Sequence, residues 1–477
     1  MIKSWLSRYN LRYPRSLAYM LQASEYNIRD YLDWYHSADD FTRIERRKSF
    51  VGTAKGVLLL VAVWLIALLT VILSVVFLLF GVGTARYLLP ALMITLLPHI
   101  MAYGLIVPLV FIKVFVQRPI EYLEIKKAQR KLKGHKAVKI GIAGSFGKTT
   151  MREILRTVLA EGKKVAAPPH SYNTPMSIGR FIDGLKGDED ILVFEFGEYY
   201  PGDIRKLCDL VDPDMGIITG VNEAHLKKSE SLDKTVGMVF ELADHLGIRP
   251  VYVNGESELA RKNARPGHIL YNQKRVGEWR INKQSTDLTG TSFVMEKGER
   301  RLELDSTLLG LHQVGPIAAV VNISLILGLS LEQVKIGVAK TRPFDHRLQP
   351  TIDDSGVIIL DDSYNGNPDG VKAVLSFLSS LKGYRRFYIT PGLVEMGHRT
   401  EEVHRSIGRN LAKAGIEKIV LIRNSVTPYI EQGLKEEEYG GEVMWFDDGP
   451  SAFVALPLLT VKGDIVLLQN DWTDQYK

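Results

Sequence analysis

The sequence predicts an α/β chain mounted on a pair of transmembrane helices, and three observations carry that reading. A charge-free apolar run extends from Gly56 to Gly83, longer than the ~20 residues needed to cross a bilayer. From Ala137 onward, short β-branched runs alternate with amphipathic stretches, the pattern of parallel sheets covered by helices. The first of those runs ends in the string GSFGKTT, Gly144 to Thr150, where a phosphate loop belongs between a strand and a helix.

With 477 residues, 46% hydrophobic and 24% charged, the chain has globular proportions and length for two or three domains. Its single cysteine, Cys208, excludes an internal disulfide or a thiolate metal cluster and reads as a small buried hydrophobe. The net charge is +6. The basic residues flank the apolar segments, which suits a membrane lipid surface and no nucleic acid.

A second apolar run follows from Tyr87 to Val116, carrying Pro90, Pro98, Pro108 and His99. It predicts a kinked second span. The connection between the runs holds only Arg86, whereas basic stretches lie before the first and after the second, so both ends of the hairpin are expected in the cytoplasm. The first fifty residues are polar and aromatic, without the pattern of a cleavable leader. Tyr26, Tyr31, Trp34 and Tyr35 recur at roughly helical spacing, which fits either a helix along the headgroups or a small soluble helical piece. The expected organisation is a cytoplasmic segment over 1–54, two transmembrane helices over 55–118, a basic linker over 119–136, and two α/β domains over 137–345 and 346–477. The expected location is the cell membrane, multi-pass, with the α/β domains cytoplasmic.

Within the α/β part, AVKIGIAG, DILVFEFG, MGIITGV, RPVYVNG, GVIIL, RRFYIT, KIVLIR and DIVLLQ read as strands. Met151, Ile154, Leu155, Val158 and Leu159 recur at helical spacing, so Lys148 and the two threonines open a helix. The region after HLGIRP looks antiparallel, with a hairpin signal at EKGE, and the break between the two domains falls near Pro343 to Ser355.

In open parallel sheets, ligands bind outside the carboxyl ends of the strands. There the sequence places GSFGKTT, Glu195, the group Asn222, Glu223 and His225, and DDSYNGNP. Loop amides at a helix N-terminus attract phosphate oxygens, a lysine neutralises terminal phosphates and a hydroxyl suits magnesium. Gly144, Gly147, Lys148 and Thr149 supply those parts, and Glu195 with His225 offers a carboxylate and an imidazole for Mg2+. Ile142 breaks the longer G-x-x-x-x-G-K-[ST] spacing, so the loop turns within the shorter string. Taken singly, Glu195 reads as a strand-end ion pair, His225 as a loop histidine, Arg347 as a surface arginine and DDSYNGNP as an Asx-rich turn.

GSFGKTT, HSYNTPMSIG, FEFGEYYPGDI, ITGVNEAHL, FDHRLQP, LDDSYNGNPDGV and LVEMGHRTEEVH occur in this order, and residues 137 to 470 thereby resemble the Mur ligases. The nearest pattern is that of the D-alanyl-D-alanine-adding branch. The resemblance implies a central P-loop α/β domain, a C-terminal Rossmann-like domain, and ATP-dependent amide-bond formation through an acyl phosphate, with ATP and Mg2+ as cofactors. It implies that Lys148 binds the β and γ phosphates, that Thr149 and Glu195 hold one magnesium and His225 a second, and that Arg347 reaches the γ-phosphate. ATP contacts are expected from Gly144, Ser145, Gly147, Thr150, His312, Gln313, Asp362 and Tyr364. Substrate contacts are expected from Ser171, Asn173, Thr174, Asn365 and Asn367. The implied partners are a cell-wall precursor, UDP-linked or lipid-linked muramoyl peptide, an amino acid or dipeptide such as D-alanyl-D-alanine, and other cell-wall synthesis proteins.

The sequence departs from that pattern in four places. Val239 stands where many members hold a carbamylated lysine, and Lys234 is a turn and a half away. Gln313 and Pro316 replace the adenine-region asparagines. Gln469, Asn470 and Asp471 replace a lysine-glycine-serine near a substrate-touching region. The membrane hairpin occupies the place of the soluble UDP-sugar domain. Two rival readings stand beside the ligase: a membrane-tethered nucleotide switch or transport ATPase, and a non-catalytic scaffold of the cell-wall machinery.

Overall fold

The computed structural model describes residues 5–45, 49–169, 172–198, 200–222, 226, 231–364 and 366–471. The chain divides into two units, residues 1–123 with 473–477 and residues 124–472.

Apolar helices dominate the first unit. Thr53 caps the helix Ala54–Phe80 by accepting from the Gly56 amide at 3.1 Å, which satisfies one of the orphan donors of the first turn. A second helical run begins at Ala85; it takes Pro90 and Pro98 into its interior and passes through a π-helical stretch, Ile112–Gln117. Their most apolar windows have mean hydropathies of 3.0 and 2.0, and by length and composition each is long and apolar enough to cross a membrane.

Before them, the short helices Tyr13–Ala23 and Ile28–Ser37 turn their aromatic faces inward. Tyr13, Tyr31, Trp34 and Tyr35 share one core with Leu59, Val63, Met101 and Leu105. The buried hydroxyls find carbonyls on the kinked helix: Tyr13 donates to Pro98 and Tyr31 to Ala102, both at 3.0 Å. The aromatic spacing therefore builds a packed helical piece. The stretch expected as a basic linker is also helical, Arg118–Lys133, with Ala128 and Leu132 buried in a core of the second unit.

The second unit holds two sheets. The first sheet runs β10-β9-β8-β7-β6-β5-β4-β1-β3-β2. Its parallel part consists of β1 (Val138–Ala143), β2 (Val165–Ala166), β3 (Ile191–Glu195), β4 (Met215–Ile218), β5 (Val251–Asn254) and β6 (Ile269–Tyr271). Strands β7 (Arg275–Val276), β8 (Trp279–Asp287), β9 (Gly290–Lys297) and β10 (Arg300–Ser306) continue it antiparallel. The EKGE signal is the β9–β10 turn, with Lys297 paired to Arg300 and Gly298 at φ 58°, a value that glycine adopts without strain. Two apolar clusters cover the faces of this sheet. One is centred on Ile140, Ile154, Ile217 and the buried helix Val314–Ile326, the other on Phe194, Phe196, Leu207 and Leu242.

The second sheet is ordered β11-β12-β16-β13-β14-β15. It comprises β11 (Gln349–Ile352), antiparallel, and the parallel strands β12 (Ile358–Asp362), β13 (Arg386–Thr390), β14 (Lys418–Ile422), β15 (Glu442–Phe446) and β16 (Ile465–Gln469). All eight strands read from the sequence form. Strands β2, β6, β11 and β15 were not expected, and β6, which pairs parallel with β5, falls in the region read as antiparallel; β15 carries no fully buried residue although Val443 to Phe446 form an apolar run.

Candidate active site

Strand β1 lies between β3 and β4, so the chain leaves it toward one side of the sheet and later returns on the other. The loop after β1 thus opens at a topological switch point, where α/β sheets form their ligand crevice. Gly144 has φ 147°, and a Cβ there would sit 2.3 Å from Thr219 Oγ1 and 2.9 Å from the Gly220 carbonyl. Only glycine lets β4 approach this closely. The Ser145 amide donates to the Gly220 carbonyl at 2.9 Å, Thr219 Oγ1 donates to the Phe146 carbonyl, and the Ser145 hydroxyl is buried without a partner among the described residues. Gly147, at φ 75°, precedes the helix Lys148–Leu159, whose first turn receives no side-chain cap. Its leading amides are therefore left for an anion.

Glu195 ends β3 in register with Ile142 of β1, which carries its carboxylate beside the loop. It is 2% exposed. Thr149 Oγ1 donates to its Oε2 at 3.2 Å, and Arg152 Nη1, one turn further along the helix, lies 3.2 Å from Oε1. That oxygen has no partner in hydrogen-bonding geometry. Burial raises the Glu195 carboxyl above the usual carboxylate range, opposed by the nearby charges of Arg152 and Lys148. Lys148 itself points at Glu198, in the loop after β3: both carboxylate oxygens lie 2.7 Å from its Nζ.

A cavity of about 480 Å³ opens beside the loop. Gly147 and Thr150 line it from the first sheet, His312 and Gln313 from the segment before the buried helix, and Arg347, Asp362, Tyr364, Asn367 and Gln469 from the segments around the second sheet. Lys148 is not among the lining residues. Burial pushes the His312 imidazole down to about 4. The ring is therefore neutral, and its Nε2 lies 3.0 Å from Gln313 Nε2, so it accepts from the Gln313 amide. Arg347 leaves a turn in which His346 and Leu348 have φ 61° and 48°; its guanidinium lies 4.8 Å over the Tyr364 ring, close enough for Asp362 and Glu195 to feel its charge.

Asp362 ends β12 in register with Gln469 of β16. Gln469 Nε2 donates to Asp362 Oδ2 at 2.7 Å and the Leu348 amide to Oδ1 at 3.2 Å. Burial raises this carboxyl to about 6. Gln469 thus faces the cavity shared with the loop, whereas the sequence placed it on the substrate side. Asn367 caps the helix Pro368–Ser380 and accepts from Asn222 Nδ2 at 2.8 Å. The same Nδ2 donates to Asp369 at 3.0 Å.

Two family models match this unit: a Mur ligase middle domain over residues 142–323 and a Mur ligase glutamate ligase domain over residues 346–469. The chain belongs to the Mur ligase family. As a Mur ligase it is an ATP-dependent ligase. It is 25% identical over 354 residues to the UDP-N-acetylmuramoyl-tripeptide--D-alanyl-D-alanine ligase of Mycobacterium tuberculosis, covering 69% of each chain. Its identity to the ligase of the same name from Bacillus subtilis is 24% over 332 residues, 69% of this chain and 72% of the relative. Its fold is similar to that of MurF from Acinetobacter baumannii, with a TM-score of 0.65 at 19% identity over 73% of this chain and 77% of that one. MurF from Thermotoga maritima, in complex with ADP, gives 0.66 at 22% identity over 74% and 80%.

The site expectations for this Mur ligase divide unevenly. The structure brings together Gly144, Ser145, Gly147, Lys148, Thr149 and Glu195 around the loop, and His312, Gln313, Arg347, Asp362 and Tyr364 around the cavity. Thr174 spends its hydroxyl in a capping box with Ser177, and the Asn173 carbonyl accepts from Gly197 at 3.0 Å. His225, Ser171 and Asn365 lie outside the described residues. Val239 is fully buried among apolar neighbours. Sequence reasoning missed Arg152 and Glu198 as parts of the site, and placed Asn222 at the strand ends without giving it a role. The available signal was a second carboxylate three residues after Glu195, at the same strand end.

Proposed function

We propose that this Mur ligase joins an amine, D-alanyl-D-alanine, to the peptide carboxylate of a muramoyl precursor at the cytoplasmic face of a membrane. The observation that carries the reading is one cavity shared by the phosphate loop, through Gly147 and Thr150, and by Arg347 and Asp362. The relatives named for that reaction support the choice of amine. The working parts would be residues 137–345 as the ATP-binding domain, 346–477 as its partner domain, and the hairpin over 55–118 as the anchor.

In the proposed reaction a substrate carboxylate oxygen attacks the γ-phosphorus of ATP, ADP leaves, and an acyl phosphate forms. The amine nitrogen then attacks the acyl carbon, phosphate departs, and the nitrogen gives up a proton. Two anions must meet before any bond forms, so positive charge fixed in advance dominates the barrier. The uncapped amides at Lys148–Thr150 would cradle phosphate oxygens, Lys148 would neutralise the terminal ones, and Arg347 would approach the γ-phosphate from the other side. Asp362 would accept from ribose hydroxyls, while His312 and Gln313 would border the base.

Thr149 Oγ1 beside the buried Glu195 carboxylate, whose Oε1 makes no hydrogen bond, is the hard oxygen donor pair that magnesium favours. These two residues would hold Mg2+, which when bound supplies positive charge next to the phosphates.

The test is phosphate release by the detergent-purified chain given ATP, magnesium, D-alanyl-D-alanine and UDP-muramoyl tripeptide. Amine-dependent turnover that disappears in Lys148→Ala supports the ligase; release without any acceptor would favour a nucleotide switch, and silence a scaffold. A lipid-linked precursor is the second reading, favoured by the two apolar helices. Turnover with the lipid-linked acceptor alone would select it.

A further inference from the structure

All three donors of the Lys148 ammonium are committed among the described residues. Two go to the Glu198 oxygens at 2.7 Å and one to the Gly144 carbonyl. An ammonium has three donors and no acceptor, so in this arrangement Lys148 has nothing left for a phosphate. The pair is secluded: the side chains of Lys148 and Glu198 are 14% and 4% exposed, and Lys148 does not line the cavity that Gly147 and Thr150 enter.

We propose that Glu198 is a displaceable stand-in for the terminal phosphate: it holds Lys148 until a nucleotide phosphate takes its place, and thereby sets the affinity for ATP. This inference rests on the ATP-binding reading above. The Gly144 contact is local to the loop, four residues back, and can persist when phosphate binds. The carboxylate cannot keep both contacts, because it would then sit against a second anion around one cation. The loop bearing Glu198 is pinned on both sides, by the Gly197 amide to the Asn173 carbonyl at 3.0 Å and by the Gly202 amide to Glu241 at 2.7 Å. Exchange therefore proceeds by rotation of the Glu198 side chain.

The experiment measures dissociation constants of ATP and AMP for the full-length chain in detergent, as wild type, Glu198→Gln and Glu198→Asp. Removing the competing charge is expected to tighten ATP about tenfold, equal to 1.4 kcal/mol, with AMP, which lacks the terminal phosphates, nearly unchanged. Glu198→Asp keeps the charge but shortens its reach, and is expected to fall between wild type and Glu198→Gln; it decides the matter should Glu198→Gln not fold. ATP affinity equal to or weaker than wild type in a folded variant overturns the exchange, as does an equal gain for AMP. Wild type that binds no ATP overturns the nucleotide reading itself.

Discussion

Gln469 donates its side-chain amide to Asp362 at 2.7 Å, across the ends of two adjacent parallel strands whose register pairs the two residues. The bond favours the carboxylate, but burial outweighs it and raises this carboxyl to about 6. Because this folded value lies above the ordinary 3.8, the group costs stability at neutral pH, and the cost vanishes as pH falls through 6 toward 4. Asp362→Asn is therefore expected to raise stability by on the order of 1 kcal/mol at pH 7.5, seen as a higher Tm, while ATP binding weakens. The KM for ATP in wild type should rise as pH drops below about 6, where this carboxyl takes up its proton. A Tm unchanged by Asp362→Asn would show that the carboxylate carries no burial cost.

Glu195 offers a second test, and its burial dictates the substitution. Truncation to alanine would empty a buried site and remove the carboxylate beside the Arg152 guanidinium, which is 5% exposed and would keep its pair with Glu153 at 2.8 Å. Glu195→Gln keeps the shape and removes only the charge. Turnover is expected to fall on the order of 100-fold, the scale of losing one charge-stabilising group, with the far-ultraviolet spectrum unchanged. Full turnover in Glu195→Gln would remove it from the metal-holding role.

Asn222 ties the segment after β4 to the start of the helix Pro368–Ser380 through bonds of 2.8 and 3.0 Å. The ligand cavity is lined from both of those regions. Losing a bond to the charged Asp369 and one to Asn367 is worth about 2–3 kcal/mol, so Asn222→Ala should lower Tm and raise the KM for ATP together. A drop in Tm with an unaltered KM would mean that this tie does not shape the cavity.

The apolar helices predict partitioning. Trp64, Leu65, Leu68, Leu69 and Leu79 are each at least half exposed, an apolar surface that water does not tolerate at this extent. The full chain is expected to stay with membranes through alkaline carbonate extraction, and residues 124–477 expressed alone are expected in the soluble fraction. Full-length protein released by carbonate would place the helices outside the bilayer.

Much of this architecture is legible in the sequence because its signals are local. Strands β1, β3 and β4 announce themselves as β-branched runs, and the helix after Gly147 by the spacing of Met151, Leu155 and Val158. Gly144 is legible as a turn residue, although the reason for it, the approach of Thr219, is not. What stays hidden depends on register and on loops. Asp362 and Gln469 meet only because β12 and β16, over a hundred residues apart, pair side by side. Lys148 and Glu198, fifty residues apart, meet only because β1 and β3 are neighbours. Tyr13 reaches Pro98 for a similar reason: a buried hydroxyl needs a carbonyl, and no local pattern says which.

His404 gives the last test, on the fold of the second sheet. Its ring is fully buried, with Nε2 accepting from the Leu393 amide at 2.9 Å and Nδ1 donating to the Thr400 carbonyl at 2.5 Å. This pair of bonds needs the neutral imidazole, and burial accordingly lowers its proton affinity below the ordinary 6.5. Above 6.5 folded and unfolded chains both hold a neutral ring and stability does not change with pH on this account. Below 6.5 the unfolded chain takes up a proton first, so stability falls as pH drops toward the folded value. Thermal unfolding is expected to show a flat Tm above pH 7 and a decline below 6.5 that His404→Gln removes, since glutamine cannot protonate there. The substitution itself should cost about 1–3 kcal/mol through the Leu393 amide it leaves poorly matched. A decline of the same slope in both proteins would assign the acid sensitivity to the other histidines or to carboxylates.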